Sequence, residues 1–164
     1  DSANLAAKKG LPYAFASHFA CSQLTQALEI YRRDFKASVA LEKPYVLAGV
    51  NIIVADTDEE AVRISTSMYT MVFNLLTGKK DIMQPPFEMT DVFGQMIEQP
   101  AVQQMMKYAF IGSKQTVKKE IKAFMEATQV DELIATTNIY AVEDRLKSCK
   151  LFAEIMRELN EEVV

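Results

Sequence analysis

The sequence predicts an α/β fold in which helical crossovers join the strands of a parallel sheet. Three observations carry this prediction: strand-like apolar segments alternate with segments of helical spacing, one strand segment is almost wholly apolar, and several helix starts carry recognisable caps. Strands that alternate with helices run parallel, because each connection crosses the sheet and returns with a right hand.

The first elements follow directly from the chain start. Ser2 stands where an N-cap stands, ANLAAKK forms a short helix, and Gly10 at the C′ position ends it. LPYAFAS (11–17) then predicts a buried strand, and SQLTQALEIYRRDF (22–35) an amphipathic helix.

The middle of the chain holds the clearest strand and the longest helix. PYVLAGVNIIVADT (44–57) is typical of a parallel strand covered on both faces. DTDEEA then caps a helix around 61–76, which Gly78 closes. Residues 79–109 are rich in Met and Pro and predict a long excursion with one or two short helices.

The last third repeats the alternation. Residues 112–128 predict a helix capped by Ser113, residues 131–140 a third strand, and residues 143–159 a last helix. Three strands cannot complete such a sheet alone. Because the chain also opens at Asp1 without an initiator Met, we expect a piece of a longer protein.

Composition bounds the function. A chain of 164 residues with 49% hydrophobic residues can bury one domain core. The net charge of −4, with 18 basic residues scattered among 22 acidic ones, argues against nucleic acid and anionic membrane surfaces as partners. No apolar run approaches the length of a membrane span. Cys21 and Cys149 are isolated, which disfavours a zinc site or a disulfide framework and favours a cytoplasmic location.

Four segments resemble one family: SANLAAKKGLPYAFASHF, PYVLAGVNIIVADTDEEA, FIGSKQTVKKEI and DELIATTNIYAVEDRLKS. In this order they closely resemble the C-terminal half of the luciferase-like, flavin-dependent monooxygenases, and most closely the bacterial alkanal-monooxygenase-like subgroup. The resemblance is weakest over the Met- and Pro-rich segment 79–109.

The resemblance implies that 1–164 is a single partial domain of a TIM (β/α)8 barrel. It would supply the helix after the fifth strand and the sixth, seventh and eighth strands with their helices, with 79–111 as an insertion between the last two strands. It also implies chemistry for the longer protein: reduced FMN and O2, with an aldehyde-like organic substrate. A flavin reductase would be a possible partner.

We expect the chain alone to be inactive, because the family's better-known catalytic groups lie in the other half. A barrel cut after its fifth strand exposes sheet edges and an apolar face, so we also expect copies to associate as a homo-oligomer.

Candidate site residues follow the carboxyl ends of the predicted strands, where barrel enzymes hold their active sites. They are Ser17 and His18, then Asp56 and Thr57, then Thr137, Asn138 and Tyr140. Ser17 is a candidate cofactor contact, while His18, Asn138 and Tyr140 are candidates for lining the active face.

The best cofactor candidate is the first helix start. By the resemblance, Ser2 with the backbone amides of Ala3 and Asn4 would bind the FMN phosphate, since a helix N-terminus favours an anion. The alternative is an ordinary N-cap. The acidic loops ADTDEEA and YAVEDR would repel a phosphate from the other strand ends.

His18 is the single histidine and the one catalytic candidate. Its imidazole could act as acid, base or hydrogen-bond donor to a flavin or an oxygen species. The competing interpretation is a structural or lining residue, because no carboxylate or nucleophile accompanies it in the sequence. The catalytic residues therefore stay open, and no metal site is predicted.

Other patterns have simpler explanations. Asp56 and Asp58 could pair as carboxylates, but acids at a helix start explain them better. Ser113 and Thr116 lack P-loop spacing and favour a capped helix. Seven methionines favour core packing over a substrate pocket: Met68, Met71, Met83, Met89, Met96, Met105 and Met106.

Two other functions remain open at this point. One is a deazaflavin-dependent oxidoreductase on the same barrel, and the other is a non-catalytic flavin-binding or structural relative.

Overall fold

A four-stranded parallel sheet forms the centre of the computed structural model, which describes residues 2–162. The strands are β1 (Tyr13–Phe15), β2 (Val46–Ala55), β3 (Ala109–Ser113) and β4 (Glu132–Thr136). Each of the other three pairs in parallel with β2. The predicted parallel α/β class is therefore confirmed.

Helices occupy most of the remaining described chain. They are α1 (Ser2–Lys9), α2 (Leu24–Asp34), α3 (Asp58–Leu76), α4 (Asp91–Ile97), α5 (Pro100–Met105), α6 (Lys114–Thr128) and α7 (Val142–Glu162), with one 3₁₀ turn at Cys21–Gln23. The excursion, for which one or two short helices were predicted, holds two, α4 and α5. None of the helices in this part of the chain has the length and apolar character that crossing a bilayer requires.

The prediction of three strands is wrong by one. β3 begins at Ala109 within the segment 79–111 that was predicted as an insertion, and it ends at Ser113, the predicted cap of the next helix. That helix begins at Lys114, as the cap implies. β3 is only five residues long and lies between α5, which ends at Met105, and the start of α6 at Lys114. A run this short cannot be told from the start of the next helix by periodicity.

The strand register explains how one strand holds three partners. β1 pairs with the first residues of β2, up to Phe15 opposite Ala48. β4 pairs up to Thr136 opposite Asn51. β3 pairs only from Asn51 onward. β2 therefore extends beyond the carboxyl ends of β1 and β4, and it changes neighbours near Asn51.

Two apolar clusters pack on the sheet. One lies on the face of β2 that carries Val46, Ala48, Val50, Ile52 and Val54, where residues of α1, α2, α6 and α7 cover it. The other lies on the opposite face of the second half of β2, where residues of α3 and α5 cover Ile53 and Ala55. The first half of that second face, around Gly49 and Asn51, is left for a site.

The predicted helix signals are largely confirmed. Gly10 adopts φ +62° and forms a Schellman closure, because its N–H donates to Ala7 and the N–H of Leu11 to Ala6. Thr57 caps α3 and Ser113 caps α6 through their hydroxyls. α1 begins at Ser2 among the described residues, and Asp1 lies outside them.

Candidate functional site

A cavity of about 470 Å³ opens beside the carboxyl ends of β1 and β4. Its wall is formed by the second half of α3, the segment 79–83 and the end of α5. Its floor holds His18, which follows β1, and Asn138, which follows β4. The volume lies in the range of small-molecule and cofactor sites.

Apolar side chains form most of the cavity wall: Phe19, Met68, Met71, Val72, Leu75, Met83, Met105 and Met106. Met68 and Met106 are also buried members of the second apolar cluster, so they serve the core and the cavity together. Methionine adapts its shape to an irregular occupant more readily than other apolar residues. Lys79 and Lys80 also line the cavity and are exposed, and Lys79 forms an ion pair with Asp81 at 3.2 Å.

His18 sits on the backbone of β2. The backbone N–H of His18 donates to the Gly49 carbonyl at 2.9 Å. The ring atom Nδ1 is buried with no hydrogen-bond partner among residues 2–162. The imidazole reaches this position because Gly49 has no side chain: a Cβ there would lie 2.4 Å from Nδ1. An unpartnered buried polar atom is costly. This Nδ1 lies against the Gly49 backbone and is closed to solvent, so the atom itself is not exposed to an occupant of the cavity.

A polar cluster lies next to His18 and is centred on Asn51, in the middle of β2. Asn51 is 5% exposed, and its Oδ1 accepts from Thr136 Oγ1 at 2.5 Å and from Asn138 Nδ2 at 3.4 Å. Asn51 also lines the cavity. Sequence reasoning missed this residue; the available signal was one amide in the otherwise apolar run VLAGVNIIVA.

Ser17 has a different surrounding. It is fully buried, and its hydroxyl donates to the Gly49 carbonyl at 2.5 Å. This bond joins the segment after β1 to β2 and thereby places His18. The cofactor contact expected of Ser17 stays a prediction.

The candidates after β2 lie away from the cavity, because β2 runs past its neighbours. Asp56 forms an ion pair of 2.5 Å with Lys147, a residue of α7. Asp58 Oδ1 accepts from the Ser113 N–H at 2.6 Å, and this bond is the main reason why its pKa is lowered. A carboxylate thus already occupies the start of α6, which supports the helix-start interpretation of these acids.

Ser2 lies in a second, smaller groove of about 290 Å³. Its hydroxyl is 3.3 Å from the hydroxyl of Tyr13, and the groove is closed by α2 residues such as Gln26. Ala3 is buried and Asn4 half-buried. Ser2 and His18 are therefore not lining residues of one cavity, and the predicted phosphate site of Ser2, Ala3 and Asn4 stays a prediction.

The remaining candidates give less. Tyr140 is 48% exposed and is not among the residues that line the cavity, while Thr137 Oγ1 is buried without a partner in the described chain. Burial raises the pKa of the Cys21 thiol, which keeps it protonated beside the carbonyl of Met105. Across residues 2–162, no three His, Cys, Asp or Glu residues are grouped as metal ligands.

The fold and the cavity define an α/β protein with a ligand-sized site at the ends of parallel strands. No family model matches the sequence. The chain is 39% identical over 158 residues to a protein of Escherichia coli K12 named luciferase-like monooxygenase, covering 96% of this chain and 47% of that protein. The chain therefore spans about half the length of such a relative.

Solved structures point the same way. The chain is similar to apo-MsnO8 with a TM-score of 0.80 and 25% identity, covering 95% of this chain and 48% of that one. It shares the fold of the oxygenating constituent of 3,6-diketocamphane monooxygenase from Pseudomonas putida, a type II Baeyer-Villiger monooxygenase solved with FMN. There the TM-score is 0.58 and the identity 21%, over 92% of this chain and 43% of that one. The resemblance to luciferase-like monooxygenases is thus confirmed, and it extends over about half the length of such a protein.

Proposed function

We propose that this chain forms part of a flavin-dependent monooxygenase that uses reduced FMN and O2 to oxidise a small organic carbonyl compound, such as an aldehyde. The observation that carries the proposal is the cavity at the carboxyl ends of β1 and β4, with apolar walls and a polar floor. The relative named luciferase-like monooxygenase and the FMN-bound structure of the same fold support it.

The residues of the cavity fit a flavin or a substrate held against it. The imidazole of His18 and the amide of Asn138 both line the cavity. The methionine-rich wall suits a flat or elongated apolar group. When bound, reduced FMN supplies the electrons with which O2 is activated.

Each part of the site then has a task. The apolar wall excludes water from the reacting oxygen and holds the organic substrate. His18 can donate a hydrogen bond or hold a proton at its imidazole, at the floor of the cavity. Ser2, with the amides of Ala3 and Asn4, would bind the phosphate of the cofactor in the smaller groove.

The assembly of the active protein is part of the proposal. The chain spans about half of its relatives, and the sheet leaves apolar residues such as Ile134 48% exposed. We therefore expect this half to need the other half for turnover, and copies of the protein to associate. The family resemblance adds to the proposal a cytoplasmic location and a separate reductase that delivers reduced FMN. Monomeric behaviour of the isolated chain in light scattering would contradict the association.

The test is a titration of oxidised and reduced FMN against the full-length protein and against this chain, followed by fluorescence and absorbance. We expect tight binding by the full-length protein, weakened by Ser2→Ala, and conversion of decanal to decanoic acid when decanal, reduced FMN and O2 are supplied together. Binding of a deazaflavin in preference to FMN, with no decanoic acid formed, would overturn the proposal in favour of hydride transfer. Flavin binding without any turnover would indicate a non-catalytic relative.

A further inference from the structure

The cavity floor contains a hydrogen-bonding device that the proposed function does not use. Asn51 is the one polar residue of β2, a ten-residue strand, and it stands at the register where β4 ends and β3 begins. A strand buried on both faces has no structural need for an amide at that point, since burying an amide costs free energy unless it is bonded.

Two donors converge on the same atom of Asn51. The Thr136 hydroxyl donates to Oδ1 at 2.5 Å, and the Asn138 amide donates to it at 3.4 Å. The Thr136 hydroxyl also lies 3.3 Å from the Val50 carbonyl, but its single proton favours the shorter contact. With Oδ1 occupied, the orientation of the Asn51 amide is set.

The other end of the amide is the free donor. No hydrogen bond from Asn51 Nδ2 is found among the described residues 2–162, and Asn51 lines the cavity. Nδ2 carries two N–H donors and cannot accept a hydrogen bond, so its partner in the cavity must be a hydrogen-bond acceptor. His18 lines the same cavity beside Asn51.

We propose that Asn51 binds a neutral carbonyl oxygen of the molecule in the cavity, and that Thr136 is the positioning residue that holds the Asn51 amide with its N–H groups toward that oxygen. The proposal rests on the proposed function for the identity of the occupant. The carbonyl can belong to the flavin ring or to the organic substrate, and both present the same acceptor chemistry.

The acceptor is neutral for a physical reason. The groups around Asn51 are amides, a hydroxyl and an imidazole, whereas the two lysines of the cavity, Lys79 and Lys80, are exposed, and Lys79 is paired with Asp81. An anion on the floor would lose its hydration without gaining a fixed cation. A carbonyl oxygen loses little hydration, and one or two N–H donors replace what it loses.

The experiment uses the full-length protein with two probes, oxidised FMN and 2-decanone, a neutral ketone whose chain suits the methionine wall. Asn51→Asp keeps the shape but turns the donor into a charged acceptor. We expect it to weaken binding of the responsible probe by more than about tenfold. Asn74→Asp is the matched control, because it adds the same charge to another lining residue of the same cavity; we expect less than about threefold.

A second pair of variants guards against misfolding of Asn51→Asp. Thr136→Val removes the hydroxyl that orients the amide while keeping the side-chain volume, and we expect it to weaken the same probe by about three- to tenfold. Thr136→Ser restores the donor and should restore the affinity. Melting temperatures of all variants separate loss of binding from loss of fold.

The outcomes separate this inference from the proposed function. Loss of probe binding in Asn51→Asp and Thr136→Val, but not in Asn74→Asp and Thr136→Ser, supports the inference even if no oxygen is consumed. Equal effects of the two aspartates, or equal effects of valine and serine at position 136, overturn it even if the enzyme turns over. Wild-type protein that binds neither probe also overturns it, because no carbonyl then occupies the floor. Which probe responds shows whether the carbonyl is that of the flavin or of the substrate.

Discussion

The imidazole of His18 lies against the backbone of Gly49, so closely that a Cβ on Gly49 would come within 2.4 Å of Nδ1 and 2.8 Å of Cε1. The same glycine accepts a hydrogen bond from the His18 N–H at 2.9 Å and another from the buried Ser17 hydroxyl. The segment after β1 therefore packs on Gly49, and the His18 ring can occupy its position only because Gly49 has no side chain.

This contact predicts a strong coupling between two substitutions. Gly49→Ala should destabilise the protein by about 1–3 kcal/mol, because the ring must move out of a packed position. In a His18→Ala background the same change should cost far less, since the clashing atoms are gone. Urea unfolding of the two single variants and the double variant measures the coupling. Additive effects would mean that the ring does not rest on Gly49.

Ser148 on α7 replaces a missing strand neighbour. β4 ends opposite Asn51, and the N–H of Val54 farther along β2 donates instead to the buried Ser148 hydroxyl at 2.9 Å. Ser148→Ala should lower the free energy of unfolding by about 1–3 kcal/mol, because a buried N–H loses its acceptor. Cys149→Ala, at the exposed neighbouring position, should change it by less than about 0.5 kcal/mol. A comparable loss in both variants would assign the effect to α7 as a whole.

Asp58 predicts a pH dependence with a definite sign. The Ser113 N–H bond, with further hydrogen bonds from Thr116 and Ser113, lowers the pKa of the Asp58 carboxyl in the folded chain. Its stabilising effect is therefore fully present above the unfolded pKa near 3.8 and is lost as the pH falls through the lower folded pKa. Asp58→Asn should flatten this part of the stability profile. The check is the melting temperature of both proteins between pH 2 and 6, and parallel profiles would contradict it.

Gln129 closes α6 in a left-handed conformation with φ +53°. Gln129→Val should destabilise the protein by about 1–2 kcal/mol, since a β-branched residue is strained there. Gln129→Gly should be at least as stable as the wild type. Glycine adopts this conformation without strain, and this gain offsets the cost of its greater conformational entropy in the unfolded chain. Thermal unfolding of the pair tests the order, and a glycine variant less stable than the valine variant would reverse it.

Local patterns in the sequence were sufficient for most of the fold. The caps Thr57 and Ser113 and the closing Gly10 were predictable, because a hydroxyl at a helix start and a glycine after a helix end act within one turn of chain. β3 was not, because five residues beside a helix start carry too little periodicity.

The site was only partly predictable, for a different reason. His18 and Asn138 follow two strands that both end before β2 does, and both residues line the same cavity. Asp56 and Thr57 follow β2, which outruns its neighbours, and strand register is a long-range property. Asn51 lies inside a strand rather than after it, and only the ends of β1 and β4 mark that point of β2 as the edge of the cavity.

β2 belongs to both apolar clusters. It contributes Val46, Ala48, Val50, Ile52 and Val54 on one face, and Ile53 and Ala55 on the other. The two clusters therefore cannot unfold independently of each other, because each of them contains residues of the same strand. In hydrogen exchange, this makes the amides of β2 the last to exchange, and it makes the two clusters open as one cooperative unit rather than one before the other.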